Sequence, residues 1–578
     1  MIRWLPPLVA LLVPLGVAGA LWWPVPLHLA ELRPLTAFSD SHVWVFEHLW
    51  GGLHGAPVDP TCAAGYPAER SFRPIAGVPA LLWMLLRPLT GALAAANVVQ
   101  LLALPLSSIA AFAVLRRSTA AAPLTAALLA ATYALCPNLL GTLATGEISN
   151  TQAWILPAWM LAMGWARDRW SGLGAVALVG AAAALTSPYL ALALPLVAGA
   201  AWLVGARRRD RRWAREGAAI AALGVGLLPA WFLYRPDQAG GGASVFRPAR
   251  ADLQPGLDLP VPSPVAALDH LLVGSGHVAG SPFETVHVAA LGLPLLAAAA
   301  WALWAGRRER TAAWGWGLGL AAGGVMLAMG PWVAAGGRLL TVGGMRVPTP
   351  VALLEAVGWP TAMGGLYFRY GVVAVLGLAL LVADRLRGRP AVAVAGGILV
   401  SNLAFGLGVA GVSWPVTTAP VAGQAWLAER SDQPGPADDG AALELPLQGP
   451  TDAHLGQAAL LRAVVHGRQT SGLPRSVVNP ADPTRRLWMD AVRGGSPERV
   501  RAALVSGGVR LVLLPAELAL HADPPVDRLR ELLGEPDLES DLIAWDLGPA
   551  APSCVVLPPP SRRPPPTQRG RRPPGERR

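Results

Sequence analysis

Asp40 stands in the run Phe38-Ser39-Asp40-Ser41-His42-Val43-Trp44-Val45-Phe46-Glu47-His48-Leu49-Trp50. A carboxylate held at a membrane surface is a candidate for proton transfer. Val43, Phe46, Leu49 and Trp50 recur at helical spacing, which predicts an amphipathic helix lying on the outer membrane face with Asp40 at or near its N-terminus. Helix chemistry offers a competing use, in which Ser39 or Asp40 caps that helix for about 1 kcal/mol. A second polar cluster is Thr145-Gly146-Glu147-Ile148-Ser149-Asn150-Thr151-Gln152 between two apolar runs. A carboxylate at the rim of a helix bundle is a functional candidate, and an outer loop can equally hydrate it. Ser187-Pro188-Tyr189 marks a further turn, for which Pro alone suffices and where Tyr189 reads as an interfacial anchor. Arg369, in Leu366-Tyr367-Phe368-Arg369-Tyr370, lies at the outer entrance of an apolar run, where arginine is disfavoured. Its planar fork of donors suits a phosphate or pyrophosphate, and snorkelling to lipid headgroups is the alternative. His277, Glu284 and His287 lie near one another, but not at the spacing of a metal site.

The elements that must position these residues follow from composition. Of 578 residues, 53% are hydrophobic and 14% charged, well below the quarter or so of charged residues in a soluble domain. Every basic residue is arginine, and the stretch from Ser561 to Arg578 holds seven of them against one Glu, so +6 of the net +10 sits in a terminal tail. That placement argues against nucleic acid and for anionic lipid or surface glycan as partner. The three cysteines, Cys62, Cys136 and Cys554, rule out a disulfide framework and paired metal ligands. Cys62 and Cys136 both fall on outer segments, where a bridge could survive.

Twelve apolar runs are candidates for crossing a hydrocarbon core that takes about 20 residues. Arg116–Arg117, Arg167 and Arg169, Arg207–Arg215, Arg307–Arg310 and Arg385–Arg389 each end an apolar run, and two runs separate consecutive clusters. All five clusters are therefore expected on one side, the cytoplasmic one. The run at 75–93 is interrupted by Arg87 and Pro88 and is taken as interfacial or re-entrant. The expectation is a mainly α, polytopic transmembrane helix bundle of about eleven crossings over residues 1–412. Its N-terminus is inside, its C-terminus outside, and its outer loops cover 24–95, 138–152, 235–287 and 333–366. Ala18-Gly19-Ala20 also resembles a signal cleavage site. Beyond a linker at Ser431–Gly440, strands at 441–446, 509–514 and 542–547 and helices at 497–505 and 527–533 predict a small extracytoplasmic α/β unit within 413–548. The Pro/Arg-rich tail from 549 to 578 is expected to be disordered.

In the order of its features the chain resembles the GT-C glycosyltransferase superfamily, and more narrowly its bacterial multi-spanning members. A first crossing is followed by Asp40 and Trp44 in an Asp-x-x-x-Trp arrangement. Gly146-Glu147 and Gln152-Ala153-Trp154, Thr186-Ser187-Pro188-Tyr189, and Tyr367-Phe368-Arg369-Tyr370 continue the likeness. Leu443-Glu444-Leu445-Pro446, His466-Gly467-Arg468 and Gly507-Gly508-Val509-Arg510 extend it into the C-terminal part. The resemblance implies sugar transfer, usually with inversion, from a polyprenyl-phosphate donor to a cell-surface glycan or protein acceptor on the outer face of a bacterial inner membrane. It implies Asp40 as general base on the acceptor hydroxyl and Glu147 as a second catalytic-site carboxylate orienting the acceptor. Arg369 or Arg346 would stabilise charge on the leaving phosphate. His42, Trp44, Asn150, Gln152 and Tyr189 would line the substrate site. Asp40-Ser41-His42 lacks the second carboxylate that some members carry, so a divalent metal cofactor is not supported by a paired-acid motif. The other readings are a transporter or flippase for a lipid-linked glycan, which calls for polar residues within spans beyond Arg87, Asn97 and Gln100, and an assembly scaffold.

Overall fold

The computed structural model describes residues 4–34, 39–54, 76–206, 212–229, 265–273, 288–307, 309, 311–356, 367–410, 416–418, 423–431, 441–445, 488, 492, 495–522 and 524–548. Residues 432–440 of the linker, the terminal tail and most of 235–287 lie outside the described residues, as do Glu284, His277 and Cys62.

Helix α1 (Leu5–Leu21) starts on Pro6 and Pro7, whose missing N–H groups fall where a helix has no partner for them. Strand β1 (Leu32–Pro34), α2 (Ser39–Leu53), α3 (Gly77–Thr90) and the long α4 (Ala92–Ser118) follow. Gly91, at φ +83°, makes the break between α3 and α4 that a side chain would resist. Next come α5 (Pro123–Ala134), α6 (Pro137–Ala144), α7 (Ile155–Asp168), α8 (Gly172–Thr186), α9 (Pro188–Ala206) and α10 (Arg212–Gly226). After α11 (Leu268–Val273) and α12 (Leu293–Gly306), α13 (Ala312–Met329) is capped by Thr311 Oγ1, which accepts from the Trp314 amide at 3.0 Å. Two short ribbons, β2 (Ala334–Ala335) with β3 (Arg338–Leu339) and β4 (Thr341–Val342) with β5 (Met345–Arg346), precede α14 (Pro350–Ala356). A 3-10 turn, Tyr367–Tyr370, leads into α15 (Gly371–Arg385), then α16 (Pro390–Ala410).

Four of these helices are long and apolar enough to cross a membrane alone: Ala92–Ser118, Ala312–Met329, the continuous Tyr367–Arg385, and Pro390–Gly408. Pro123–Ala134 and Pro137–Ala144, bent by 44°, make a fifth if they act together. The chain is thus a multi-pass membrane protein. Other runs counted toward eleven crossings form shorter apolar helices, such as Leu5–Leu21, Gly172–Thr186 and Leu293–Gly306. At 1.5 Å per residue, 14 to 17 residues reach about 21–26 Å, short of the ~30 Å hydrocarbon core. Helix α3 is also of this short class. Its Arg87 donates from Nε and Nη2 to both oxygens of Glu47 on α2, at 2.8 and 2.9 Å, and lies over the Trp50 ring at 4.8 Å. The charge that interrupts this run is therefore paired.

The centre of the bundle is α13 against α15. A Cβ on Gly324 would stand 2.3 Å from Ala374 N, and one on Gly377 would stand 2.3 Å from Ala321 N, so only glycine permits this approach. The Arg-bearing helix ends gather together. Arg117 pairs with Asp168 at 3.0 Å, Arg167 with Glu216 at 3.3 Å, and Arg385 with Glu309 at 3.4 Å. Arg215 donates to the Arg167 and Asp168 carbonyls. Trp4, Trp165, Trp170 and Trp304 are exposed at this same end, as an aromatic belt at a membrane–water boundary would be.

On the far side of the chain, β6 (Val416–Thr418) pairs antiparallel with β1. Helix α17 (Gln424–Ser431) then leads to a four-stranded sheet in the order β7-β8-β10-β9. Its strands are β7 (Ala441–Glu444), β8 (Val509–Pro515), β9 (Leu538–Glu539) and β10 (Leu542–Asp546), and its helices are α18 (Pro497–Ser506) and α19 (Val526–Leu533). Strands β7 and β8 are parallel, and β8–β10 and β10–β9 are antiparallel. Leu504, Leu529 and Trp545 pack on one face, and Leu427, Leu511 and Leu542 on the other, as the two-residue alternation of side chains requires.

Candidate functional site

The segment between α6 and α7 is where the chemistry-bearing residues meet. The reading of 138–152 as one polar loop needs correction, because Pro137–Ala144 is helical and the non-helical part starts at Thr145. Pro137 starts this helix, and Gly146, at φ +71°, ends it, with the Glu147 amide reaching back to the Thr142 carbonyl at 3.3 Å. The Asn150 and Thr151 amides both donate to the Glu147 carbonyl at 3.1 Å, a turn that brings the Asn150 side chain to the Glu147 carboxylate. Asn150 Nδ2 donates to Glu147 Oε2 at 2.6 Å, and Ser187 Oγ donates to Asn150 Oδ1 at 2.8 Å.

The other carboxylate oxygen, Glu147 Oε1, accepts from Arg369 Nη2. Both side chains are buried, at 7% and 10% exposure, so this is a desolvated ion pair rather than a surface one. Arg369 lies over the Tyr189 ring at 4.7 Å and near Phe368 at 5.8 Å, and Tyr189 meets Tyr370 edge-on at 5.8 Å. Arg369 therefore has an ionic partner and an aromatic bed, which together account for an arginine at this entrance. Asn138 fixes the turn that carries it. Its Nδ2 donates to the Val288 carbonyl at 2.7 Å and the Phe368 carbonyl at 3.2 Å. The Tyr370 hydroxyl is buried with no hydrogen-bond partner. Glu147, Asn150, Tyr189 and Arg369 are thus brought together. Asn138 and Ser187 join them, neither of which the sequence reading placed in the site. Their only signal was a polar residue beside Pro137 or Pro188 at the end of an apolar run.

Gln152 is adjacent but turned inward, donating to the Ile148 carbonyl at 3.1 Å and accepting from Trp154 Nε1 at 2.7 Å. Asp40 is the second residue of α2, so the expected helix exists and starts where expected. The Asp40 side chain itself lies outside what is described. Trp44 is 1% exposed and packs with Val43, Phe46, Trp83 and Ile148, an apolar cluster that joins α2 to the Glu147 segment. His42 lies beside Phe46, with ring centroids 6.1 Å apart. Arg346 sits on the β5 ribbon over the Trp332 ring at 5.3 Å, apart from the contacts that assemble Glu147 and Arg369. Among the described residues no group of three or more His, Cys, Asp or Glu could hold a metal ion.

A helical membrane bundle with α2 following α1, a buried polar cluster at one end and an α/β unit after α16 is a GT-C-like fold. Among solved structures, the arabinofuranosyltransferase AftD from Mycobacteria matches with a TM-score of 0.51 at 18% identity, over 95% of this chain. The chain spans 40% of the length of AftD. The oligosaccharyltransferase of Archaeoglobus fulgidus matches at 11% identity and TM-score 0.49, over 90% of this chain and 72% of that one. ArnT from Cupriavidus metallidurans matches at 14% identity and TM-score 0.46, over 93% and 97%. No protein-family model and no curated protein matches the chain.

Proposed function

We propose that the protein is a membrane glycosyltransferase that moves a sugar from a polyprenyl-phosphate donor to an acceptor hydroxyl at the outer end of the bundle. The single observation that carries this reading is the buried Glu147–Arg369 pair with its Asn150, Ser187 and Tyr189 partners, joined through the Ile148 packing to the helix bearing Asp40. In the reaction, the Asp40 carboxylate takes the acceptor hydroxyl proton as that oxygen attacks the anomeric carbon. The bond from that carbon to the phosphate oxygen breaks, and the phosphate leaves as an anion. Arg369 stabilises that anion, on a guanidinium already desolvated and oriented by Tyr189. Glu147 holds Arg369 in place and orients the acceptor. An orientation with the Arg-rich end in the cytoplasm, which the positive-inside tendency favours, puts this site on the outer face.

The test is Asp40→Asn in cells and in purified protein. Sugar incorporation into surface glycan falls by a factor of at least about 100, the scale of a lost general base, while protein abundance is unchanged. Full transfer by that variant would sink the reading. A flippase, by contrast, would keep translocating lipid-linked glycan in the same variant.

A further inference from the structure

A cavity of about 240 Å³ opens at the Arg-rich end of the bundle, between α4, α7, α10, α13 and α15 and remote in the fold from Glu147. We propose that it is a binding site for the headgroup and upper acyl chain of an anionic phospholipid. Its mouth carries Arg117, Arg167, Asp168 and Glu216, and its floor is formed by Met160, Met163 and Trp316. A polar charged mouth above an apolar floor is the lining an amphiphile needs. The exposed tryptophans around this end place the mouth at the height of lipid headgroups. Basic pockets between membrane helices on this side are a recurrent setting for anionic headgroups.

The four charges of the mouth cancel on paper, so the question is which arginine can change partner. Arg167 and Glu216 are 28% and 11% exposed, and they hold α7 to α10. Arg117 and Asp168 are 55% and 53% exposed and share a single 3.0 Å contact, a solvent-screened pair that contributes little. Arg117 can therefore turn from Asp168 to a phosphate at little cost, and a phosphodiester accepts its planar donors in two parallel hydrogen bonds. Arg116, Arg169 and Arg215 near the same helix ends leave the local field positive after Asp168 and Glu216 are counted. The methionines, unbranched and polarisable, adapt to an acyl chain. Gly164 lies on the wall beside Arg117, and a Cβ there would meet Arg117 Nε at 3.7 Å, ordinary contact distance. A larger side chain at Gly164 therefore projects into the cavity without first breaking the backbone packing.

The experiment uses the full chain purified in mild detergent, delipidated and titrated with phosphatidylglycerol, phosphatidylcholine or inorganic phosphate, with bound lipid counted by native mass spectrometry and Tm followed in parallel. The expected result is retention of phosphatidylglycerol over phosphatidylcholine. Arg117→Gln and Gly164→Leu should each weaken that retention about tenfold, the scale of one charge-assisted contact. Arg307→Gln, an exposed arginine at the same end but off the cavity, keeps wild-type binding. Wild-type retention in both cavity variants, or an equal loss in Arg307→Gln, would overturn the proposal. Equal stabilisation by inorganic phosphate would also overturn it, since the lipid chain would then contribute nothing.

Discussion

At the scale of single residues, the ion pair between Glu147 and Arg369 decides how the candidate site is built. The two stand 222 residues apart, and each was legible alone, one as a rim carboxylate and the other as an arginine where arginine is disfavoured. Their pairing was not legible, because no local periodicity connects residues so distant in the chain. Asn138 was passed over for the same reason, since its use depends on two carbonyls brought to it by later helices. Removing one member of a buried pair strands the other. Glu147→Ala is expected to destabilise the protein by about 3–5 kcal/mol, and Arg369→Ala similarly. The double variant should recover part of the combined loss, as a thermal-unfolding cycle in detergent would measure. Strict additivity would mean that the two groups do not depend on each other. Transfer activity separates roles further. Arg369→Lys keeps charge but loses the planar stack on Tyr189, and should lower kcat more than it lowers Tm.

Among elements, the contact of α13 with α15 matters most, because α15 is entered through the turn that carries Arg369. Its glycines are spaced along apolar runs and could have been read only as weak helix formers. Their reason is the partner backbone, which the sequence does not display. Gly324→Val places two methyl-bearing branches where a single Cβ already meets Ala374 N at 2.3 Å. Overpacking of this kind costs about 1–3 kcal/mol, so a Tm lowered by several degrees is expected, together with reduced activity from a displaced Arg369 turn. An unchanged Tm would show that the helices slide apart freely. Elsewhere the elements were well anticipated. The helix at Asp40, the strands near 441, 509 and 542, and the joint location of the Arg clusters all follow from period and charge, whereas Val43, Trp44, Val45 and Phe46 are buried together rather than on one helical face. The ends of the helices around Glu147 were less legible, since Pro137 and Gly146 reshape a stretch whose composition reads as loop.

For the whole molecule, the C-terminal sheet is tied to the segment leaving the bundle through Asp541. Both its carboxylate oxygens accept from the Gly423 amide at 3.2 Å, and Ser540 Oγ donates to it at 2.8 Å. The Ser540 hydroxyl, foremost, and the Gly423 amide hold its carboxyl below the usual carboxylate range. A depressed folded value means that this contact stabilises above the unfolded pKa of about 3.9 and is lost as pH falls through the folded value. Hydrogen exchange at the Gly423 amide should therefore stay slow at pH 5 and accelerate below pH 4 relative to the intrinsic rate. Asp541→Asn should remove that acid step. A longer-range tie has a sharper consequence. Strand β1 leaves α1 and β6 leaves α16, and they pair at Leu32↔Thr418, Arg33↔Thr417 and Pro34↔Val416. Paired strands lie about 4.8 Å apart, and no such ladder can be made across a ~30 Å core. The chain must therefore return to the face on which it first emerged, and the number of traversals between those two exits is even. Eleven of the twelve apolar runs lie between those two exits, so at least one of them does not cross, whatever its length or hydropathy. Arg33→Cys and Thr417→Cys, in a background with the native cysteines changed to serine, should both label with a membrane-impermeant maleimide or both escape it. One labelled and one protected would break the parity.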